Sequence, residues 1–310
     1  MFKQLKRTHQ EASNSSVETE QAAKRVNATS ETSVTKKSER KMNFFKSWKD
    51  ADRFECVKEK DYKGEDTITL KDGQYNANVT TAPMSVKFSD VGPKGNLGTR
   101  FVPEGAFQQA KYVMTIEQGA DSKVVGAMPT IDTDQDGYFK ALKSIGTRML
   151  TKAWDENLSM FASHIKKAKA DAKKEAKKNA DLNVNDRAKE LFLEKATLPV
   201  KDYVDEDGDS TPVNKMARRY QYTDKNTGEI VMNRPAFWKA NRKGGYDDIT
   251  DETKWLSKGT VVITQVTFRC YTMSSHYGVA TDMGKNIIVV WAKPSTTKKD
   301  GGNPTVPYIE

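Results

Sequence analysis

Cysteine and histidine are scarce in this chain. Cys56 and Cys270 are the only cysteines in 310 residues. Two thiols cannot build a disulfide framework or a zinc site, and they fit a reducing, intracellular compartment. The three histidines are His9, His164 and His276. Metalloprotease, nucleophile-elbow, P-loop and dinucleotide-binding motifs are all missing. No apolar run approaches the roughly 18 residues that would span a bilayer. The opening "MFKQLKRTHQEASNSS" lacks the apolar core of a signal peptide. These absences argue against a secreted scaffold, a membrane protein and most enzyme classes. The expectation is a non-enzymatic protein with no cofactor, no metal and no membrane partner.

Positive charge is what the chain has in surplus. It carries 51 Lys and Arg against 42 Asp and Glu, a formal charge of +9. Such an excess suits a polyanionic partner, most often nucleic acid. Residues 1–42 are rich in Ser, Thr, Glu and Lys with little to bury, so a disordered basic tail is expected there. Lys24-Arg25 and the later "KKSERK" have the spacing of a bipartite nuclear localisation signal.

From residue 43 to 293 the pattern reads as one domain. "DTITLKDGQYNANV" alternates apolar and polar residues around Asp72-Gly73, as a hairpin does. From Tyr138 the period changes to three and four residues, which marks an amphipathic helix. The helical insertion extends over about 137–195 and includes the lysine-rich "IKKAKADAKKEAKK", expected to be solvated. A second strand-rich region follows, in which "RRYQYTDKNTGEIVMN" reads as a hairpin and "GTVVITQVTFRCYTMS" is the clearest strand. The nearly all-apolar "GKNIIVVWAKP" should be central, and 294–310 should be flexible. Few of the apolar runs are separated by helices, so a parallel βαβ sheet does not fit. The fold class expected is α+β: an OB-fold-like antiparallel β-barrel with a helical insertion and a disordered basic N-terminal tail.

"IDTDQDGYFKALK" opens like a calcium-binding EF-hand loop. The loop requires a bidentate Glu at its twelfth position, and counting from Asp132 that position is Lys143. The preceding segment also holds Gly126 and Pro129, so no entering helix is available. Calcium is rejected. Asp134 or Asp136 is expected instead to cap the helix that follows. "DEDGDS" at 205–210 reads as a solvated turn.

Basic residues beside aromatic ones carry the functional signal. Arg218, Arg219, Tyr220 and Tyr222 are clustered in "RRYQY", and on a regular strand the two tyrosines would share a face. "NRPAFWKANRKGGY" adds Arg234, Trp238, Arg242 and Lys243, and "FRCY" adds Arg269 and Tyr271. Single-stranded nucleic acid needs both components. Cations neutralise phosphates, and flat rings stack on unpaired bases whatever their identity. For Trp238 the pattern fits a stacking role and a core role equally well.

Two stretches resemble a known family. They are "TTAPMSVKFSDVGPKGNLGTRFVPEGAFQQAKYVMTI" and "GTVVITQVTFRCYTMSSHYGVATDMGKNIIVVW". Together they look like the single-stranded DNA-binding proteins of large nucleocytoplasmic DNA viruses, over about residues 60–160 and 215–292. The resemblance implies an OB-like core that coats exposed single strands during viral DNA replication or repair, without catalysis. It marks Arg100 in the glycine loop, and Arg269 and Tyr271. It implies single-stranded DNA as partner, with RNA and self-association along the strand as further options, in a host nucleus or viral replication site. The basic tail and the lysine helix are not part of the pattern. Two other classes remain open on sequence: a self-assembling virion or scaffold protein, and a metal-dependent nuclease.

Overall fold

The computed structural model describes residues 47–61, 63–120, 133–179, 181–241, 245–253 and 256–291. The expected tails, 1–42 and 294–310, lie outside them, as do Asp132 and the basic run at 24–41.

After a 3-10 turn at Trp48–Arg53, strands β1 (Glu55–Lys60), β2 (Asp66–Asp72) and β3 (Tyr75–Asn76) form a small antiparallel sheet. The Asp72-Gly73 turn joins β2 to β3, with Gly73 at φ +61. Next come β4 (Val79–Thr80), β5 (Met84–Asp90) and β6 (Lys111–Glu117). Three helices follow: α1 (Gln135–Asp155), α2 (Ala162–Ala176) and α3 (Val184–Lys195). The chain then returns to strands. These are β7 (Val200–Val204), β8 (Ser210–Arg219), the hairpin β9 (Gln221–Thr223) with β10 (Ile230–Met232), β11 (Ala236–Ala240), β12 (Tyr246–Asp248), β13 (Val261–Thr272) and β14 (Tyr277–Trp291).

Five of these strands close a barrel. Antiparallel pairs join β5 to β6, β6 to β8, β14 to β13 and β13 back to β5. The ring is shut by a short parallel seam between β8 and β14, with Thr281 opposite Met216 and Asp282 opposite Ala217. The order β5-β6-β8-β14-β13 is that of an OB-fold, so the α+β, OB-like architecture expected from the sequence is the one observed. Among the described residues no helix is long and apolar enough to cross a membrane.

The apolar runs are explained by what covers them. From Gln265 onward β13 alternates: Val266, Phe268 and Cys270 point into the barrel, while Thr267, Arg269 and Tyr271 point out. Its first half is buried on both faces. Val262 joins the main core, and Val261 and Ile263 pack with Ile288 and Val290 in a second cluster against Trp238 and Tyr246. A strand covered on both faces loses its polar alternation.

The helices seal one side of the barrel. Helix α1 begins at Asp134, whose carboxylate accepts from the Gly137 N–H at 2.8 Å, satisfying an orphan donor of the first turn. It buries Tyr138, Leu142, Ile145 and Met149. The lysine helix α2 is less solvated than its sequence suggests. Ala168 and Ala172 continue the stripe from Ile165 and are buried in the core, while the lysines remain outside. The Tyr277 ring at the start of β14 stacks on Phe192 of α3 with centroids 4.8 Å apart, and its hydroxyl donates to the Phe192 carbonyl at 2.6 Å. Beside it, Gly278 lies against the Thr197 backbone, and Val279 N–H donates to the Thr197 carbonyl at 3.0 Å.

A Cβ on Gly278 would collide with the Thr197 carbonyl oxygen. Gly278→Ala therefore forces β14 away from the helix-to-β7 connection, and urea unfolding should register a loss of about 1–3 kcal/mol. Unchanged stability would mean that this contact is slack.

Candidate nucleic-acid interface

The outer faces of β6, β8 and β13 carry more cations than anions: Lys111, Lys215, Arg219 and Arg269 against Glu117 and, opposite Thr267, Asp282. Register pairs Lys111 with Arg219, Val113 with Ala217 and Thr115 with Lys215, so these residues lie on one face of the β6–β8 ladder. On β13, Thr267, Arg269 and Tyr271 occupy the outer face. Strand β7 adds Lys201, opposite Val213.

Two depressions lie on this surface. One, of about 780 Å³, runs between β2 and the seam strands and is lined by Lys111, Arg218, Arg219, Arg269 and Asp282 together with the buried Leu70, Phe268 and Met283, so it reaches from the outer face toward the core. The second, of about 360 Å³, is lined by Lys201, Lys215, Arg269, Tyr271 and His276, among others. Both include Lys111, Ala217 and Arg269, so they form one trough. Lys111, Lys201 and Lys215 make no ion pair with a described residue. Arg269 is partly neutralised by Asp282, with Nε 2.8 Å from the carboxylate. Tyr271 is half-buried, and the edge of His276 meets its ring with centroids 6.2 Å apart. The trough thus offers several cations and one partly open ring.

Of the residues proposed from sequence, Arg218, Arg219, Arg269 and Tyr271 come together here. Arg100 does not line the trough. It is exposed on the β5–β6 loop, with its guanidinium 4.5 Å from the centre of the Phe101 ring. Tyr222 is exposed on the β9–β10 hairpin. Arg242 and Lys243 lie outside the described residues.

Four assignments are corrected by burial and bonding. Arg218 donates through Nε to the Asn233 carbonyl at 2.9 Å, through Nη2 to the Asn233 side chain, and through Nη1 to the Met283 carbonyl at 3.3 Å. Burial pulls its guanidinium below the ordinary Arg value. It clasps β8 to β14 and has little left for a phosphate. Tyr220 is only 7% exposed, stacked on Tyr112 with centroids 5.2 Å apart and donating to the Pro93 carbonyl at 3.3 Å. The chain bends at Tyr220 between β8 and β9, which breaks the alternation that would have put it on one face with Tyr222. Arg234 donates to the Thr253 carbonyl and lies over Phe237, 5.5 Å from its ring centre. Trp238 packs on the second apolar cluster, and its Nε1–H donates to Asn286 at 3.1 Å. The core role wins for that ring.

Lys111, Lys201 and Lys215 are residues the sequence reading missed. Each is a single lysine with no basic or aromatic cluster like "RRYQY" around it, as in "AKYVM", "VKDY" and "NKMA". Outward alternation on a strand was the available signal. The acidic "DEDGDS" stretch is a closed turn, in which the Asp205 carboxylate accepts from the N–H groups of Asp207 and Asp209.

No protein-family model matches the chain, and no curated protein matches it. Solved structures similar to it include gp2.5, a single-stranded DNA-binding protein of bacteriophage T7. That protein is 13% identical, with 74% of this chain and 99% of that one covered and a TM-score of 0.34. The single-stranded DNA-binding protein of bacteriophage Enc34 is 11% identical over 79% of this chain and 96% of its own, with a TM-score of 0.32. The Enc34 protein in complex with single-stranded DNA gives 10% identity, 81% and 98% coverage and a TM-score of 0.31. These are phage proteins, not proteins of large nucleocytoplasmic DNA viruses. At such low scores and identities the likeness carries no argument, and the fold assignment rests on the strand order of the chain itself.

Arg218→Ala should act on stability: removing the clasp leaves buried acceptors at Asn233 and Met283, at a cost of about 1–3 kcal/mol in denaturant unfolding. Arg218→Lys should not restore it, because a single ammonium cannot span both strands. Full stability of either variant would return Arg218 to the list of surface contacts.

Proposed function

We propose that this chain binds single-stranded nucleic acid without strong sequence preference, by neutralising phosphates and stacking bases. The observation that carries this reading is the continuous trough on the barrel face, with Lys111, Lys201, Lys215, Arg219 and Arg269 around Tyr271. Cations spread along a groove follow a backbone, whereas a compact anion would need them convergent. In OB-folds the face built on the second and third barrel strands is a usual oligonucleotide surface, and here those strands are β6 and β8. A base stacked on Tyr271 contributes roughly 1–3 kcal/mol, independent of its identity. The resemblance of the two long sequence stretches suggests the setting: coating of single-stranded DNA exposed during viral replication or repair. In this reading the chain is a binding protein and not an enzyme.

The test is fluorescence anisotropy of labelled oligo-dT and of a blunt duplex, titrated across salt. Affinity for the single strand should fall steeply with salt and exceed that for duplex. Lys111→Ala, Lys215→Ala and Arg219→Ala should each flatten the slope of log affinity against log salt by roughly 0.7, the value per phosphate on a single strand. Equal affinity for duplex and single strand would sink the reading. Loss of the labelled strand on adding magnesium would favour a nuclease. Concentration-dependent light scattering with no response to oligonucleotide would favour a scaffold protein.

A further inference from the structure

The loop between β5 and β6 exposes two phenylalanines that the trough does not use. Phe101 is 74% exposed and Phe107 is 46% exposed. A solvent-facing ring in a loose loop would need no explanation, but this loop is anchored. Asn96 holds β6 at both ends of one residue: its side chain accepts from Lys111 N–H at 2.7 Å, and its own N–H donates to the Lys111 carbonyl at 2.9 Å. The Thr99 hydroxyl donates to the Asn96 carbonyl at 2.9 Å. Gly95 has φ +54 and sits where a Cβ would come within 2.6 Å of the Lys111 carbonyl oxygen, so the close approach itself demands glycine. Val102 and Ala110 are buried and fix the far side of the loop.

The anchored loop sets Phe107 at the end of a column of rings. Tyr112 stacks on Tyr220 at 5.2 Å and 30°, and Tyr220 stacks on Phe107 at 6.3 Å and 29°. Tyr112 is fully buried, Tyr220 nearly so, and Phe107 is the half-open end. Lys111 and Arg219, the residues that precede Tyr112 and Tyr220 in sequence, both line the trough. The column begins in the core and ends at a half-open ring on a loop whose Asn96 is tied to the backbone of Lys111, a residue of the trough. On the same loop, Arg100 lies across Phe101.

We infer that Phe107, with Phe101 and Arg100 on the same loop, is a base-stacking platform that receives unpaired nucleobases of a strand lying in the trough. The inference rests on the trough reading and deepens it by assigning the bases a place. A ring already stacked on a buried neighbour, itself backed by a second ring, is pre-organised, so a base that adds to it meets little ordering cost. The cations of the trough hold the backbone, and the loop reads only the π-faces, which every base possesses.

The experiment compares oligo-dT with an abasic deoxyribose-phosphate oligomer of equal length, which keeps the phosphates and lacks the rings. Phe107→Ala and Phe101→Ala should weaken oligo-dT binding about tenfold, within the roughly 5- to 150-fold expected for one lost stack. Binding of the abasic oligomer, and the salt slope, should not change. Phe107→Tyr should retain binding, and Phe107→Leu, which keeps apolar volume without a flat face, should not. Phe101→Ala is the safeguard against a folding effect, because that ring is mostly in solvent. Equal weakening on both oligomers, or no weakening by either alanine variant, would overturn the platform while leaving the trough intact. Failure of the unsubstituted protein to bind either oligomer would overturn the trough reading, and the platform with it.

Discussion

Closure of the barrel along the β8–β14 seam is the constraint on which the rest depends. Only two residue pairs make that parallel contact. A seam so short needs side chains to hold it. Asn214, fully buried, donates to Thr281 at 2.9 Å and to the Pro199 carbonyl at 2.8 Å, and the Thr281 hydroxyl donates to the Lys215 carbonyl at 3.1 Å. Arg218 adds the tie from β8 to the Met283 carbonyl. Buried polar groups joined in this way rigidify a single arrangement, because each would be costly if left unpaired.

The seam also decides what faces solvent. With β8 locked against β14, the Arg218 guanidinium is spent on Asn233 and Met283 at the wall of the trough, while Ala217 and Arg219 share the other face of β8. Two adjacent arginines in the sequence therefore have unrelated roles. The same alternation puts Lys215 outside and Met216 in the core. A slip of one residue would reverse all of these, burying cations and exposing the core, so the apolar residues of β8 fix the charge of its outer face.

Much of the architecture was legible in the sequence. The change of period at Tyr138, the alternation in "TQVTFRCYT", the Asp-Gly turn and the missing twelfth carboxylate of the acidic loop each rest on local rules, and local rules operate within a few residues. The candidate site was less legible. Arg219, Arg269 and Tyr271, which line the trough, lie in a visible basic–aromatic cluster. The same clustering misdirected attention to Arg218, Tyr220, Arg234 and Trp238, whose partners are the distant residues Met283, Pro93, Thr253 and Asn286.

By itself the sequence determined the charge balance, the kinds of element and the residue types available for contacting a polyanion. Composition and periodicity set these, and neither requires knowledge of what folds against what. Tertiary structure alone decided which cations are open and which are clasps, and which rings are core and which are exposed. A guanidinium beside a tyrosine reads identically whether its donors end on solvent or on a carbonyl sixty-five residues away. Only the closure of the barrel brings that carbonyl within reach, and it leaves Lys111, Lys201 and Lys215 lining the open trough.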